Sequence, residues 1–256
     1  MRVVVVGSGG VAEGLAHQLE RCAPQSLVQV YGRNETRVNE LSDRFGLAKS
    51  NLLQPADIYI LAVSDDAVEA LAAELPFAEG AIVVHTAGSV AMSALEGARG
   101  AKRGVLYPMQ SFTVGRQLAL GEVSLFVEGE DRATLERIKE LANMLSHRVI
   151  EMTSEQRKQL HLAAVFASNF TNAMFSATSD LLRDAGLSFD LYAPLIEETV
   201  SKAMAASDPR RVQSGPAKRG DQRTMERHLA LLEGREDLME MYKSISKYIW
   251  ETSKRI

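Results

Sequence analysis

Up to about residue 152 the apolar positions come in short runs, several of them β-branched, and most are followed by stretches with helical spacing. Residues 2–6, 27–31, 57–63, 81–85, 105–107, 123–127 and 148–152 read as strands. Residues 11–22, 37–45, 66–75 and 132–145 read as helices, and a long loop follows 105–107. The run Val3-Val4-Val5-Val6 does not alternate, which suits a strand covered on both faces. Strands alternating with helices imply crossover connections and parallel pairing, hence an α/β doubly wound sheet. Past 152 the strand signal stops, and residues 154–185, 191–206, 224–233 and 236–254 all read as helix. The expected architecture is an N-terminal doubly wound (Rossmann) parallel sheet domain, residues 1–152, followed by an all-α C-terminal domain, residues 153–256.

The turn after the first strand carries chemistry. Gly7, Ser8, Gly9, Gly10, Val11 and Ala12 form the pattern Gly-x-Gly-x-x-Ala between a strand and a helix. There a first glycine permits the tight turn and a second lets backbone N–H groups approach a pyrophosphate, while the small third residue lets the helix pack close. The helix N-terminus then faces the anion. At the end of the second strand an NAD site would place Asp or Glu on the ribose, yet the chain reads Gly32-Arg33-Asn34-Glu35-Thr36-Arg37. Arg33 and Arg37 stand where a 2′-phosphate would lie, with Asn34 and Thr36 as hydrogen-bonding neighbours, so NADP is the expected cofactor. Ala62, Val63, Ser64 and Asp65 end the third strand on the expected adenosine and ribose side, although Ser64 or Asp65 equally suits a helix cap. Thr86, Ala87 and Gly88 end the fourth, at the edge where open α/β sheets bind ligands. His85 is as well suited to a structural hydrogen bond as to a site.

Composition adds exclusions. The 256 residues are 46% hydrophobic and 24% charged, the balance of a globular protein. A net charge of −4 lacks the basic excess of a nucleic-acid or membrane-surface binder. The single cysteine cannot pair within the chain, and no apolar run approaches membrane-spanning length, so a cytoplasmic location is expected. No Cys/His cluster, nucleophile elbow or Walker motif is present, and no metal is expected.

Further motifs occur in order: His85-Thr86-Ala87-Gly88, Tyr107-Pro108-Met109-Gln110-Ser111-Phe112, His161 through Ser168-Asn169, and Ser214-Gly215-Pro216-Ala217-Lys218-Arg219-Gly220-Asp221. With the glycine turn they resemble a bacterial family of Rossmann-like proteins that carry a C-terminal helical domain of unknown function and are described as NADP oxidoreductases. More distantly the chain is similar to pyrroline-5-carboxylate reductases and deazaflavin-dependent NADP oxidoreductases. The resemblance covers nearly the whole chain. It implies an NADP-binding domain, a helical domain that dimerises, and hence a homodimer. The reductases' threonine-rich substrate loop is missing, which argues against proline reductase activity.

On the long helix, Lys158, His161, Val165, Ser168, Asn169, Asn172, Ser176 and Ser179 share one face about 100° wide at helical spacing, while much of the rest is apolar. So apolar a helix is expected to be buried, and its polar stripe suits a cleft, with the wet face of an amphipathic helix as the alternative. In a cleft between the domains His161 would donate a proton, with Lys158 as a competing acid, and Asn169 would orient the substrate. The segment 208–228, with six Arg/Lys against three Asp/Glu, is read either as an anion contact or as an exposed basic loop. The expected function is hydride transfer to or from a small polar metabolite, a carbonyl or imine, with a non-catalytic NADP-binding sensor or scaffold as the alternative.

Overall fold

The computed structural model describes residues 1–116 and 119–255. Its core is one seven-stranded sheet in the order β2-β1-β3-β4-β5-β6-β7. The strands are β1 (Val3–Val6), β2 (Leu27–Tyr31), β3 (Ile58–Leu61), β4 (Ile82–His85), β5 (Lys102–Pro108), β6 (Leu125–Gly129) and β7 (Val149–Glu151). The first four helices are α1 (Gly10–Cys22), α2 (Glu35–Arg44), α3 (Val68–Glu74) and α4 (Arg132–Leu145). Val3 and Val5 face one apolar layer with Leu15 and Leu19 of α1 and Ile138 of α4. Val4 and Val6 face the other, with Val68 and Ala72 of α3 and Leu95. The two-residue strand period thus divides one valine run between two cores, each valine contributing roughly 1.5–3 kcal/mol of burial.

All seven expected strands are present, and all but one pairing is parallel. The exception is β5 with β6, which run antiparallel. The reason lies in the connection: between Pro108 and Leu125 the described residues hold only a short 3-10 turn, Leu120–Glu122, and no crossover helix.

The chain divides into two compact units, Met1–Asn169 and Phe170–Ile256. The first unit therefore includes α5 (Ser154–Ala164). A capping box between Thr153 and Gln156 starts this helix. Arg157, 1% exposed, then fastens it by an ion pair with Glu128 of β6 at 2.7 Å, a hydrogen bond to the Val90 carbonyl and another to Ser154 Oγ.

Past Ala164 the expected continuous α-helix changes pitch. Val165–Phe170 is a π-turn, and α6 (Thr171–Asp184) follows. The i→i+5 bonding of a π-turn alters the rotation per residue, so the single face drawn at 100° per residue ends at Ala164. Nor is the apolar part buried: Leu162 and Phe166 are more than half exposed. The second unit holds α6, α7 (Ala193–Ala205), α8 (Pro216–Arg219), α9 (Gln222–Leu231) and α10 (Glu236–Ser253). No residue of α7 is buried, and Met204 is 82% exposed. No helix among the described residues is long and apolar enough to cross a membrane.

Candidate active site

Strands β1, β3, β4 and β5 are parallel neighbours, so the turns that follow them collect along one sheet edge. After β1, Gly7 takes φ +131, and its N–H donates to the Tyr31 carbonyl at 2.7 Å. A Cβ here would lie 2.1 Å from the Ala62 carbonyl oxygen, so glycine is required twice, by conformation and by space. Gly9 caps α1 without a side-chain hydrogen bond, which leaves the first-turn N–H groups for an anion. Ala12 is fully buried where the helix meets the sheet.

A cavity of about 670 Å³ opens at this turn. Gly7, Ser8, Gly9, Gly10 and Val11 line one wall, Arg33 and Asn34 a second, and Ala62, Val63 and Ser64 a third. A glycine-rich cradle at one end and an arginine at the other fits an extended dinucleotide.

The two arginines do not share a position. Arg33 is exposed and lines the cavity, and among the described residues it makes no ion pair. Arg37 is absent from the lining; it pairs with Glu13 at 2.5 Å and Glu40 at 2.8 Å. Asn34 caps α2 by accepting from the Arg37 N–H at 3.1 Å. Asp65 accepts a hydrogen bond from Ser89 Oγ.

Two strands further along lies the second half of the site. His161 Nδ1 sits 3.1 Å from the Tyr107 hydroxyl, with the rings edge to face. The imidazole rests on Gly88: a Cβ there would lie 2.3 Å from Nδ1 and 2.6 Å from Cγ. At about 4.8 Å per strand, β4 lies roughly 10 Å from β1, a distance that a dinucleotide spans from its pyrophosphate to its reactive ring. Burial raises the Tyr107 pKa above its ordinary value, opposed by the Arg157 charge.

His85 is fully buried and its pKa is pushed down to about 4, first by burial and then by the Arg157 charge. Its Nδ1 accepts the Ala87 N–H at 3.2 Å, so the neutral ring shapes the Thr86-Ala87-Gly88 turn. Thr86 N–H donates to the Leu61 carbonyl at 3.2 Å in the same turn. Lys158 is paired with Glu155 at 2.8 Å, and Asn169 is exposed in the π-turn. Of the three residues expected to do chemistry, His161 is seated against Tyr107 and Gly88 at the sheet edge.

Sequence reasoning did not single out Tyr107 or Arg157. Tyr107 stood inside a quoted motif at a strand end, a usable signal. Arg157 had only its position four residues before His161, one helical turn away.

Comparison with known proteins accords with this geometry. Residues 2–89 match the family described as NADP oxidoreductase, coenzyme F420-dependent, and residues 123–249 match a domain of unknown function. A solved structure described as a "putative NADP oxidoreductase" from Bacteroides fragilis is 36% identical, covers 98% of each chain and superposes with a TM-score of 0.90. A 1-pyrroline-5-carboxylate reductase from Streptococcus pyogenes is 15% identical over 100% of this chain and 99% of its own, TM-score 0.63. A reductive aminase from Aspergillus terreus, solved with NADPH and ethyl-5-oxohexanoate, is 16% identical over 99% and 92%, TM-score 0.64. The last two share the fold alone. No curated protein matches the chain.

Proposed function

This chain belongs to the NADP oxidoreductase family of the Bacteroides fragilis protein, and from that premise we propose that it transfers a hydride between NADP and a small polar metabolite bearing a carbonyl or imine. The nicotinamide ring supplies the hydride; the protein must orient it, exclude water and move one proton. Gly7, Ser8, Gly9, Gly10 and Val11 would hold the pyrophosphate, with Arg33 and Asn34 on the 2′-phosphate and Ala62, Val63 and Ser64 beside the adenosine. Arg37 would make no direct contact with the nucleotide, since Glu13 and Glu40 hold it away from the cavity. Thr86, Ala87 and Gly88 would border the nicotinamide.

One observation carries the reading: an imidazole packed on the Gly88 backbone and hydrogen-bonded to a protonated tyrosine at the ligand edge of the sheet. With Tyr107 donating to Nδ1, the ring proton resides on Nε2. His161 can pass that proton to the oxygen or nitrogen that becomes an alcohol or amine, and the Tyr107 proton can follow onto Nδ1. Both groups, and Asn169 as a substrate-orienting residue, lie in the first compact unit.

A homodimer is part of the proposal. The apolar side chains exposed on α7, Leu195, Val200 and Met204 among them, are the kind of surface that an obligate interface covers. Sedimentation that shows only a 28.0 kDa species would contradict it.

The test of function is NADPH oxidation by the purified protein, followed by absorbance, against a panel of aldehydes, keto acids and cyclic imines. Once a substrate is found, His161→Gln should lower turnover by roughly 10²–10⁴ while nucleotide affinity stays within about twofold. Tight NADPH binding without turnover of any panel member would favour the non-catalytic sensor instead.

A further inference from the structure

A carboxylate in the first turn of a helix that receives a pyrophosphate should oppose the incoming charge, yet Glu13 occupies that place and is 6% exposed. Its partners explain how it is tolerated. Arg37 and Arg44 bind its two oxygens and neutralise it, and a third donor, the Gly115 N–H, reaches Oε2 at 2.9 Å. Burial by itself would raise its pKa, but the Gly115 bond and the two guanidinium groups outweigh burial and hold the carboxyl below its ordinary range.

Gly115 belongs to the segment that leaves β5, and the same segment meets α1 twice more. A Cβ on Gly10 would lie 3.0 Å from the Phe112 carbonyl oxygen, and one on Gly14 would lie 2.7 Å from the Phe112 ring. Residues 112–115 therefore rest on positions 10, 13 and 14, the first turn of α1. The strand it leaves carries Tyr107, whose hydroxyl holds His161. One stretch of chain thus runs from the proton-donor pair to the phosphate turn.

We propose that Glu13 is a positioning residue for the dinucleotide: it latches the 109–116 segment across the start of α1 and so fixes the phosphate-binding end of that helix. The proposal rests on reading the Gly7–Val11 turn as the cofactor turn. Because the latch acts at the pyrophosphate, which NADPH and NADH share, its effect is blind to the 2′-phosphate.

The test titrates NADPH and NADH into Glu13→Ala, Phe112→Ala and Glu13→Gln and follows exchange of the Gly115 amide. Glu13→Ala and Phe112→Ala should each weaken both nucleotides by the same factor, about tenfold, the worth of a hydrogen bond to a charged group. Gly115 should lose protection in Glu13→Ala. Glu13→Gln, which keeps an acceptor for Gly115, should stay within about threefold of wild type. If Glu13→Ala does not fold, Phe112→Ala and Glu13→Gln decide the matter alone. A loss confined to NADPH would overturn the proposal, since Glu13 would then be acting through Arg37 on the 2′-phosphate. Wild type that binds both nucleotides, with variant affinities unchanged, would sink the proposal alone; wild type that binds neither would sink the cofactor reading as well.

Discussion

Replacing Gly88 by alanine tests the donor pair without touching either member. The added methyl would lie 2.3 Å from His161 Nδ1, 2.6 Å from Cγ and 3.0 Å from Cβ. Non-bonded carbon needs about 3.5 Å, so the ring must retreat by roughly 1 Å or more. The crowding involves the root of the imidazole as well as its tip, so no rotation about one bond relieves it. A ring displaced that far cannot also keep its 3.1 Å bond to Tyr107. Misplacing a reacting group by about 1 Å costs on the order of 10² in rate. Turnover of an established substrate should therefore fall about 100-fold in Gly88→Ala. NADPH affinity should fall far less than turnover, because the cavity at Gly7–Val11 and Arg33 that would hold the phosphates is untouched. Stopped-flow NADPH oxidation at saturating nucleotide separates the two effects. A Gly88→Ala enzyme with wild-type turnover would show that the imidazole's seat on Gly88 has no part in the chemistry.

Arg33→Ala should weaken NADPH by 1.5–3 kcal/mol, roughly 10- to 150-fold, and leave NADH almost unchanged; equal losses for both nucleotides would remove Arg33 from the 2′-phosphate. Tyr107→Phe keeps the ring and deletes the hydroxyl held by His161, so turnover should drop about tenfold or more with little change in melting temperature; unchanged turnover at neutral pH would place the proton supply elsewhere. His85 predicts a pH dependence of stability: below 6.5 the unfolded chain takes up a proton that the folded chain refuses until about pH 4. Its contribution is complete above pH 6.5 and is lost as pH falls toward 4, about 3 kcal/mol in all. Urea unfolding of wild type and His85→Gln at pH 7 and 4.5 should show a smaller acid loss in the variant, and parallel losses would refute the assignment.

What the sequence disclosed follows from the range of each interaction. The strands, the glycine turn and Arg33 are local patterns, and local patterns are written in neighbouring residues. The antiparallel β5–β6 pair was hidden because its only trace was the missing helix in a long loop. Arg157 sits in a polar first turn where a cation is ordinary, and its partners Glu128 and Val90 stand 29 and 67 residues away. The same distance conceals why Arg37 is withheld from the cavity, since Glu13 lies 24 residues upstream. His161 was legible as a polar residue on an apolar helix. The pitch change between His161 and Asn169 was hidden, because a helical wheel carries a constant angle through a turn that is not α-helical.

The fastening of α5 by Arg157 has a consequence for anyone who recombines relatives of this chain. A chimera joined at residue 152, where the strands end, would bring in a foreign helix and leave Glu128 facing whatever stands at position 157. Parting a buried pair of this kind costs about 3–5 kcal/mol, a large share of the stability of an ordinary domain. A junction after Asn169 keeps arginine, glutamate and histidine from one parent. Recombination across this family should therefore tolerate exchange at the later seam and select against the earlier one, even though the earlier is where the secondary structure changes class.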